Sequence, residues 1–291
     1  MKNGFLLIDK ESGYTSRDVC NIIMKIFDAK KVGHAGTLDP FATGLLIVGI
    51  NNATKALSYI EGQYKTYEAT LSLGQKTSSG DHTDEIIEEK PVPFFNKNDI
   101  ETIFDSLVGK SEQTVPKTSA VHVNGRKLYQ YAHLNQEVEL PKRTIEIKEL
   151  KLISYNEKEI KFETTVSKGT YIRVLGETIA EKLGTVGHLI SLRRTKILDI
   201  QVEQAHKIND LDQDLLIPCP IIIKKFMPIT ILLDEDNLKK ARHGGKLSLK
   251  LFPKRLETFC VCDSQNHAIA IYKYSELGYY ECMRGLDNED Y

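Results

Sequence analysis

The 291-residue sequence has no tryptophan and only five cysteines, Cys20, Cys219, Cys260, Cys262 and Cys282. An odd, scattered set of this kind is not a disulfide framework. No two are spaced C-x-x-C, so a zinc site of that pattern is excluded, and the thiols are expected to pack in a reducing cytoplasm. Nowhere do 18 apolar residues run together, which rules out a membrane-spanning helix. The apolar run near the N-terminus, Phe5 to Ile8, is too short for the core of a signal peptide. Neither G-x-G-x-x-G nor G-x-x-x-x-G-K-[ST] occurs, so the common phosphate-binding loops are missing. Charge of one sign is missing too. Lys and Arg number 39 and Asp and Glu 40, a net charge of −1. Any attraction to nucleic acid must therefore come from local patches.

What is present is ordinary globular material, 41% hydrophobic and 27% charged, enough for one large domain or two unequal ones. Gly4–Asp9 reads as a buried strand. Thr15-Ser16-Arg17-Asp18 reads as a helix start, followed by Val19, Ile22, Ile23, Ile26 and Phe27 on one helical face. Residues 30–44, KKVGHAGTLDPFATG, hold three glycines and a proline without periodicity and read as loop. That loop empties into the apolar strand Leu45–Ile50. Further strands are expected at 67–73, 145–153 and 160–166, and helices at 99–107, 128–134 and 171–183. Residues 77–90 read as an acidic surface excursion. Strands and helices interleave without a βαβ beat, which predicts an α+β fold with a mixed or antiparallel sheet. Prolines at 218, 220 and 228 suggest a boundary. Beyond it a helix over 235–242 and several short strands suit a small β-rich domain. The charges divide as 30 basic and 30 acidic up to residue 228 and 9 and 10 after it, so neither part is a basic polyelectrolyte.

Four clusters carry candidate chemistry. Gly33-His34-Ala35-Gly36-Thr37-Leu38-Asp39-Pro40 and the residues to Gly44 form a loop in which Pro40 stiffens the exit and Asp39 offers a carboxylate. A tight turn with Asp39 bonding its own backbone is the simpler reading. Ser167-Lys168-Gly169-Thr170-Tyr171-Ile172-Arg173 follows a strand and opens a helix, where backbone N–H groups and Lys168 suit an anion. Arg173 in the first helical turn is disfavoured by the helix dipole and calls for an acidic partner. That partner is either a carboxylate holding the core or Asp39, whose charge and rotamer the guanidinium would then fix. Tyr67, in Lys65-Thr66-Tyr67-Glu68, is either a packing residue or a stacking face for a base. Between Lys110 and Gln130 four basic residues face one acidic, with His122, Tyr129 and Tyr131 nearby, a small patch of the kind that meets nucleic acid or merely solvates a face. Leu192-Arg193-Arg194-Thr195-Lys196 is a second such patch.

GHAGTLDPFATGLLIVGI closely resembles the catalytic motif of the TruB family, the tRNA pseudouridine-55 synthases. GFLLIDKESGYTS, ATKALSYI, KTYEATLSLG, SAVHVNGRKLYQYA, VSKGTYIRVL and GTVGHLISLRR resemble further family segments in the same order, covering residues 4–200. The resemblance implies a pseudouridine synthase fold over residues 1–228 and a PUA-like RNA-binding domain over 229–291. It implies that Asp39 is the catalytic carboxylate, that Tyr67 stacks on the target base and handles its C5 proton, and that Arg173 pairs with Asp39. His34, Lys55, Tyr171, Leu192 and Lys168 would be substrate-binding residues. The implied reaction is isomerisation of uridine to pseudouridine in the tRNA T-loop on an extruded nucleotide, by a cytoplasmic monomer that uses no metal and no cofactor. Other readings keep the fold but make the chain a guide-RNA-dependent subunit or a non-catalytic RNA-binding, tRNA-folding protein. The chain departs from the family pattern at Thr118, His122 and His133, where Tyr, Lys and Arg are common, all in the segment expected to face RNA.

Overall fold

A computed structural model describes residues 2–134 and 136–287, with His133 described by its backbone alone. The chain divides into two units: Met1–Pro40, Gly44–Gln63 and Leu198–Tyr291 form one, and Phe41–Thr43 with Tyr64–Ile197 the other.

In the first unit, strand β1 (Gly4–Lys10) leads to helix α1 (Ser16–Ile26). The helix starts where it does because Thr15 Oγ1 accepts the Asp18 N–H at 3.1 Å while Asp18 Oδ2 accepts the Thr15 N–H at 2.9 Å. This reciprocal cap satisfies two orphan donors of the first turn. The Thr15 side-chain hydrogen bond lowers the Asp18 carboxyl below its usual range. The buried face of α1 is Ser16, Val19, Cys20 and Ile23, continued by Phe27. It is rotated from the expected stripe, since Ile26 stands 36% exposed and Cys20 has taken a core position. Burial pushes the Cys20 thiol up to about 11, which leaves it protonated and inert.

Strand β2 (Val32–His34) lies inside the segment expected to be entirely loop. Strand β3 (Thr43–Ile50) pairs antiparallel with β1 along one edge and with β2 along the other, Leu6 and His34 both facing Val48. Residues Leu45–Ile50 are all buried, which is why they read as a continuous apolar run. A 3₁₀ turn, Asn51–Ala56, and helix α2 (Leu57–Glu61) follow.

The second unit contains β4 (Lys65–Leu73), β5 (Gln75–Thr77), β6 (Ile86–Glu89), α3 (Lys97–Leu107), β7 (Gly109–Thr114), β8 (His122–Val123), β9 (Arg126–Lys127), α4 (Leu128–His133), β10 (Lys142–Tyr155), β11 (Glu159–Val166), α5 (Ile172–Lys182) and β12 (Gly187–Ile197). Its sheet runs β12-β4-β11-β10-β7, antiparallel at every step. Tyr67, Ala69 and Leu71 on β4, Thr164, Phe162 and Ile160 on β11, and Arg194, Leu192 and Leu189 on β12 are register partners sharing one buried face. Helix α3 packs Phe104 on Phe162, ring centroids 6.0 Å apart.

Helix α5 crosses the same face at Gly176, where a Cβ would stand 2.9 Å from Leu189 Cδ2 and 3.4 Å from Leu71 Cδ1. Gly176→Val is therefore expected to destabilise the protein by about 1–3 kcal/mol through overpacking. Equilibrium urea unfolding measures it, and an unchanged midpoint would show that α5 lifts from the sheet freely.

Residues 77–90 correct the expectation of a surface excursion. The β6 residues are exposed, yet Thr77, Ser79 and Asp81 are buried. The turn is tied to β12 by Leu189 N–H to Gly80 O and His82 N–H to Leu189 O, both 3.0 Å.

The remainder of the first unit begins with β13 (Ile200–Gln201). The chain then runs along the free edge of β1. His206 N–H donates to Leu7 O and Asp9 N–H to His206 O, both at 2.9 Å, and Phe5 and Ile217 exchange two bonds of 2.8 Å. After α6 (Cys219–Ile223) come β14 (Ile229–Ile231), α7 (Glu235–Arg242), β15 (Leu247–Ser248), β16 (Thr258–Cys262), β17 (Ala268–Ser275) and β18 (Tyr279–Gly285). These five strands form a separate sheet in the order β14-β16-β17-β18-β15, with β14 parallel to β16 and the other pairs antiparallel. Phe252, Phe259 and Tyr280 close its core edge-to-face at centroid distances of 4.9–5.1 Å. The architecture is α+β with antiparallel and mixed sheets and a β-rich C-terminal part, as expected. Among the described residues no helix is long and apolar enough to cross a membrane.

Candidate active site

In the first unit the Gly33–Pro40 loop is held by its flanks. Its backbone reverses at Gly36, with φ +97°, a conformation open to glycine. Pro40 O accepts from Gly13 N–H at 2.9 Å and from Lys10 Nζ at 3.2 Å. Lys10 is fully buried, and its ammonium also donates to Tyr14 O at 2.7 Å and Glu11 O at 3.0 Å. Backbone carbonyls thus receive its protons, which offsets the cost of burying an ammonium. Leu38 is bonded through both its N–H and its C=O to the hydroxyl of Ser16. Between these anchors Asp39 is half-buried. His34 ends β2, and Lys55 sits half-buried in the 3₁₀ turn.

The second unit carries Tyr67, Lys168, Tyr171, Arg173 and Leu192. Tyr67 lies mid-strand between Thr164 of β11 and Arg194 of β12, with its ring on the buried face. Leu192 occupies the next inward position of β12, opposite Ala69. Strand alternation splits the patch seen in the sequence. Arg194 is fully buried beside Tyr67, whereas Arg193 turns to the other face and donates to Thr43 Oγ1 at 3.3 Å. Lys168 is exposed in the turn before α5.

Tyr171 is the N-cap of α5. The Gln113 amide clamps it, accepting from Tyr171 N–H at 2.8 Å and donating to Tyr171 O at 3.1 Å. Arg173 follows in the first turn, buried. Its Nη1 donates to Ser79 O at 2.5 Å and to Thr118 Oγ1 at 2.7 Å, and Nη2 reaches Thr118 O at 3.4 Å. Its Nε stands 3.8 Å from Asp81 Oδ2, with both side chains buried. Asp81 Oδ1 in turn accepts from Thr83 N–H at 3.0 Å and Thr83 Oγ1 at 2.5 Å. Gly80 is required here. Its φ is +78°, and a Cβ would stand 3.3 Å from Arg173 Cβ. One turn along α5, burial raises the Glu177 carboxyl above its usual range.

Two residues of this cluster escaped the sequence reading. Asp81 lay in the stretch taken for surface, and its signal was the run of hydroxyls and glycine around it, Thr77-Ser78-Ser79-Gly80-Asp81-His82-Thr83. Thr118, the first of the three departures from the family pattern, is a hydrogen-bond partner of Arg173. Among the described residues no three His, Cys, Asp or Glu side chains are grouped to hold a metal ion.

The profile of the TruB family pseudouridylate synthase (N terminal domain) matches residues 24–172. A protein of Bacillus velezensis named tRNA pseudouridine synthase B is 38% identical over 289 residues, covering 94% of this chain and 93% of that one. The chain belongs to the TruB family. A protein of the same name from Bacillus subtilis is 42% identical over 218 residues, 73% of this chain and 71% of the other. One chain of a solved H/ACA RNP bound to a substrate RNA containing 2′-deoxyuridine has the same fold as this chain. Its TM-score is 0.73 at 19% identity, covering 99% of this chain and 86% of that one.

Proposed function

We propose that this TruB-family chain isomerises uridine to pseudouridine in the T-loop of tRNA, at position 55, acting as a cytoplasmic monomer. The observation that carries the activity is identity across nearly the full length with proteins named tRNA pseudouridine synthase B. The reaction breaks N1–C1′, turns the uracil and forms C5–C1′. N1 gains a proton and C5 loses one, so atoms balance without an oxidant or an energy donor. The uridine must first be extruded from its loop, at a cost of a few kcal/mol.

In this reading Asp39 is the catalytic carboxylate, acting as nucleophile at C1′ or as base at C2′. Both routes need one carboxylate on one side of the ribose, unlike the paired carboxylates of most glycosidases. Arg173 supplies the opposite charge to Asp39. Tyr67 stacks on the uracil and handles its C5 proton, while Leu192 and Tyr171 shape the base pocket. His34, Lys55 and Lys168 hold the extruded nucleotide and its phosphates. Support for these roles comes from the motif resemblance, from the pinned Asp39 loop, and from the fixed guanidinium of Arg173.

We assign residues 1–228 to catalysis and 229–291 to RNA contact as a PUA-like domain. Support for the latter is a pair of cation–aromatic contacts, Arg255 over Tyr274 at 3.5 Å and Lys246 over Tyr279 at 4.0 Å. Such pairs present flat faces on which bases stack.

Incubating the purified chain with one unmodified tRNA transcript and mapping pseudouridine tests the function. A single modified T-loop uridine, formed without guide RNA or other protein, is expected. Modification that needs an added guide RNA would make the chain a subunit, and none at all would make it a binding protein.

A further inference from the structure

We infer that Ser16 is a positioning residue for Asp39, and that its hydroxyl sets the rate of isomerisation without touching the substrate. The inference rests on the reading of Asp39 as the catalytic carboxylate.

Ser16 is a polar residue on the buried face of an amphipathic helix, 2% exposed among Val19, Cys20 and Ile23. Helix α1 does not need its hydroxyl, because Thr15 and Asp18 already cap the first turn. The hydroxyl is spent on Leu38 instead. Ser16 Oγ accepts the Leu38 N–H at 2.9 Å and donates to Leu38 O at 3.2 Å. One side chain thereby fixes both polar groups of the residue before Asp39. On the other side the Pro40 carbonyl is fixed by Gly13 and Lys10. The Asp39 backbone is bracketed by bonded neighbours, in the stretch between Ala35, whose N–H donates to Ile47 O at 2.9 Å, and the start of β3.

Packing alone does not replace this clamp. Leu38 is buried, so losing the hydroxyl leaves an amide N–H and a carbonyl without partners in an apolar setting. The loop relaxes by shifting toward water and carries the carboxylate with it. Displacement of a reacting group by an ångström costs about 100-fold in rate.

The test compares Ser16→Ala and Ser16→Thr with the unaltered chain. It measures single-turnover pseudouridine formation at saturating tRNA, tRNA affinity by filter binding, and melting temperature. Ser16→Ala is expected to slow the chemical step by about 10- to 100-fold while binding stays within about twofold. Ser16→Thr, which restores a hydroxyl, is expected to recover most of the rate. A normal rate in Ser16→Ala overturns the inference. So does an equal loss in both variants, or a loss of rate matched by a loss of binding and a lower melting temperature, which marks a merely structural role. Asp39→Asn, run in parallel, separates the two claims. If it remains active the catalytic reading of Asp39 fails, whereas an inactive Asp39→Asn beside a normal Ser16→Ala sinks the positioning role alone.

Discussion

Asp39→Asn is expected to abolish isomerisation, a loss of about 10⁴-fold or more, while tRNA binding survives. Asparagine keeps the shape of the side chain and its place in the loop. It cannot serve as an anionic nucleophile or as a base, so a chemical step that needs either stops. Binding survives because RNA contact is spread over many phosphate and base contacts, not lodged in one carboxylate. Release of tritium from C5-labelled tRNA measures the reaction, and filter binding measures the complex. Turnover persisting in the variant would remove Asp39 from its role.

Arg173→Lys is expected to slow the reaction by about 100-fold, in line with the loss of one preorganised electrostatic partner. The guanidinium satisfies Ser79 O, Thr118 Oγ1 and Thr118 O at once and keeps Nε toward Asp81. A point charge on a flexible stem cannot hold that fork. Arg173→Met removes the charge altogether and leaves Asp81 buried without its cation, which costs about 3–5 kcal/mol of stability. Rate and unfolding midpoint together read the outcome. A lysine variant with near-normal turnover would show that the geometry of the fork is dispensable.

The contrast between Asp39 and Asp81 shows how far sequence reasoning reaches. Asp39 stands in a motif of glycines and proline between a helix and an apolar run, so local chemistry announces it. Asp81 is buried by a guanidinium from a distant part of the chain, and local composition, full of Ser, Thr and charge, signals surface instead. Elements with strong local signals were legible: the Thr15–Asp18 cap, the apolar strand to Ile50, and the helix over 235–242. Strand β2 was not, because three residues pairing through Gly33 carry no alternation. The LRRTK patch is ambiguous in sequence for a different reason. The strand period of two sends Arg193 and Arg194 to opposite faces, and residue type alone cannot say which face is dry.

The segment that returns along β1 has a bearing on how the molecule can be shortened. Residues 206–217 occupy backbone donors and acceptors that would otherwise form an open strand margin. Trimming the chain back to residue 228 leaves that cover in place. Trimming it to residue 200 uncovers hydrogen-bonding groups on a flat, apolar strand, the kind of surface that templates stacking between copies. The tail is thus a hem for the N-terminal strand as well as a carrier of the last sheet.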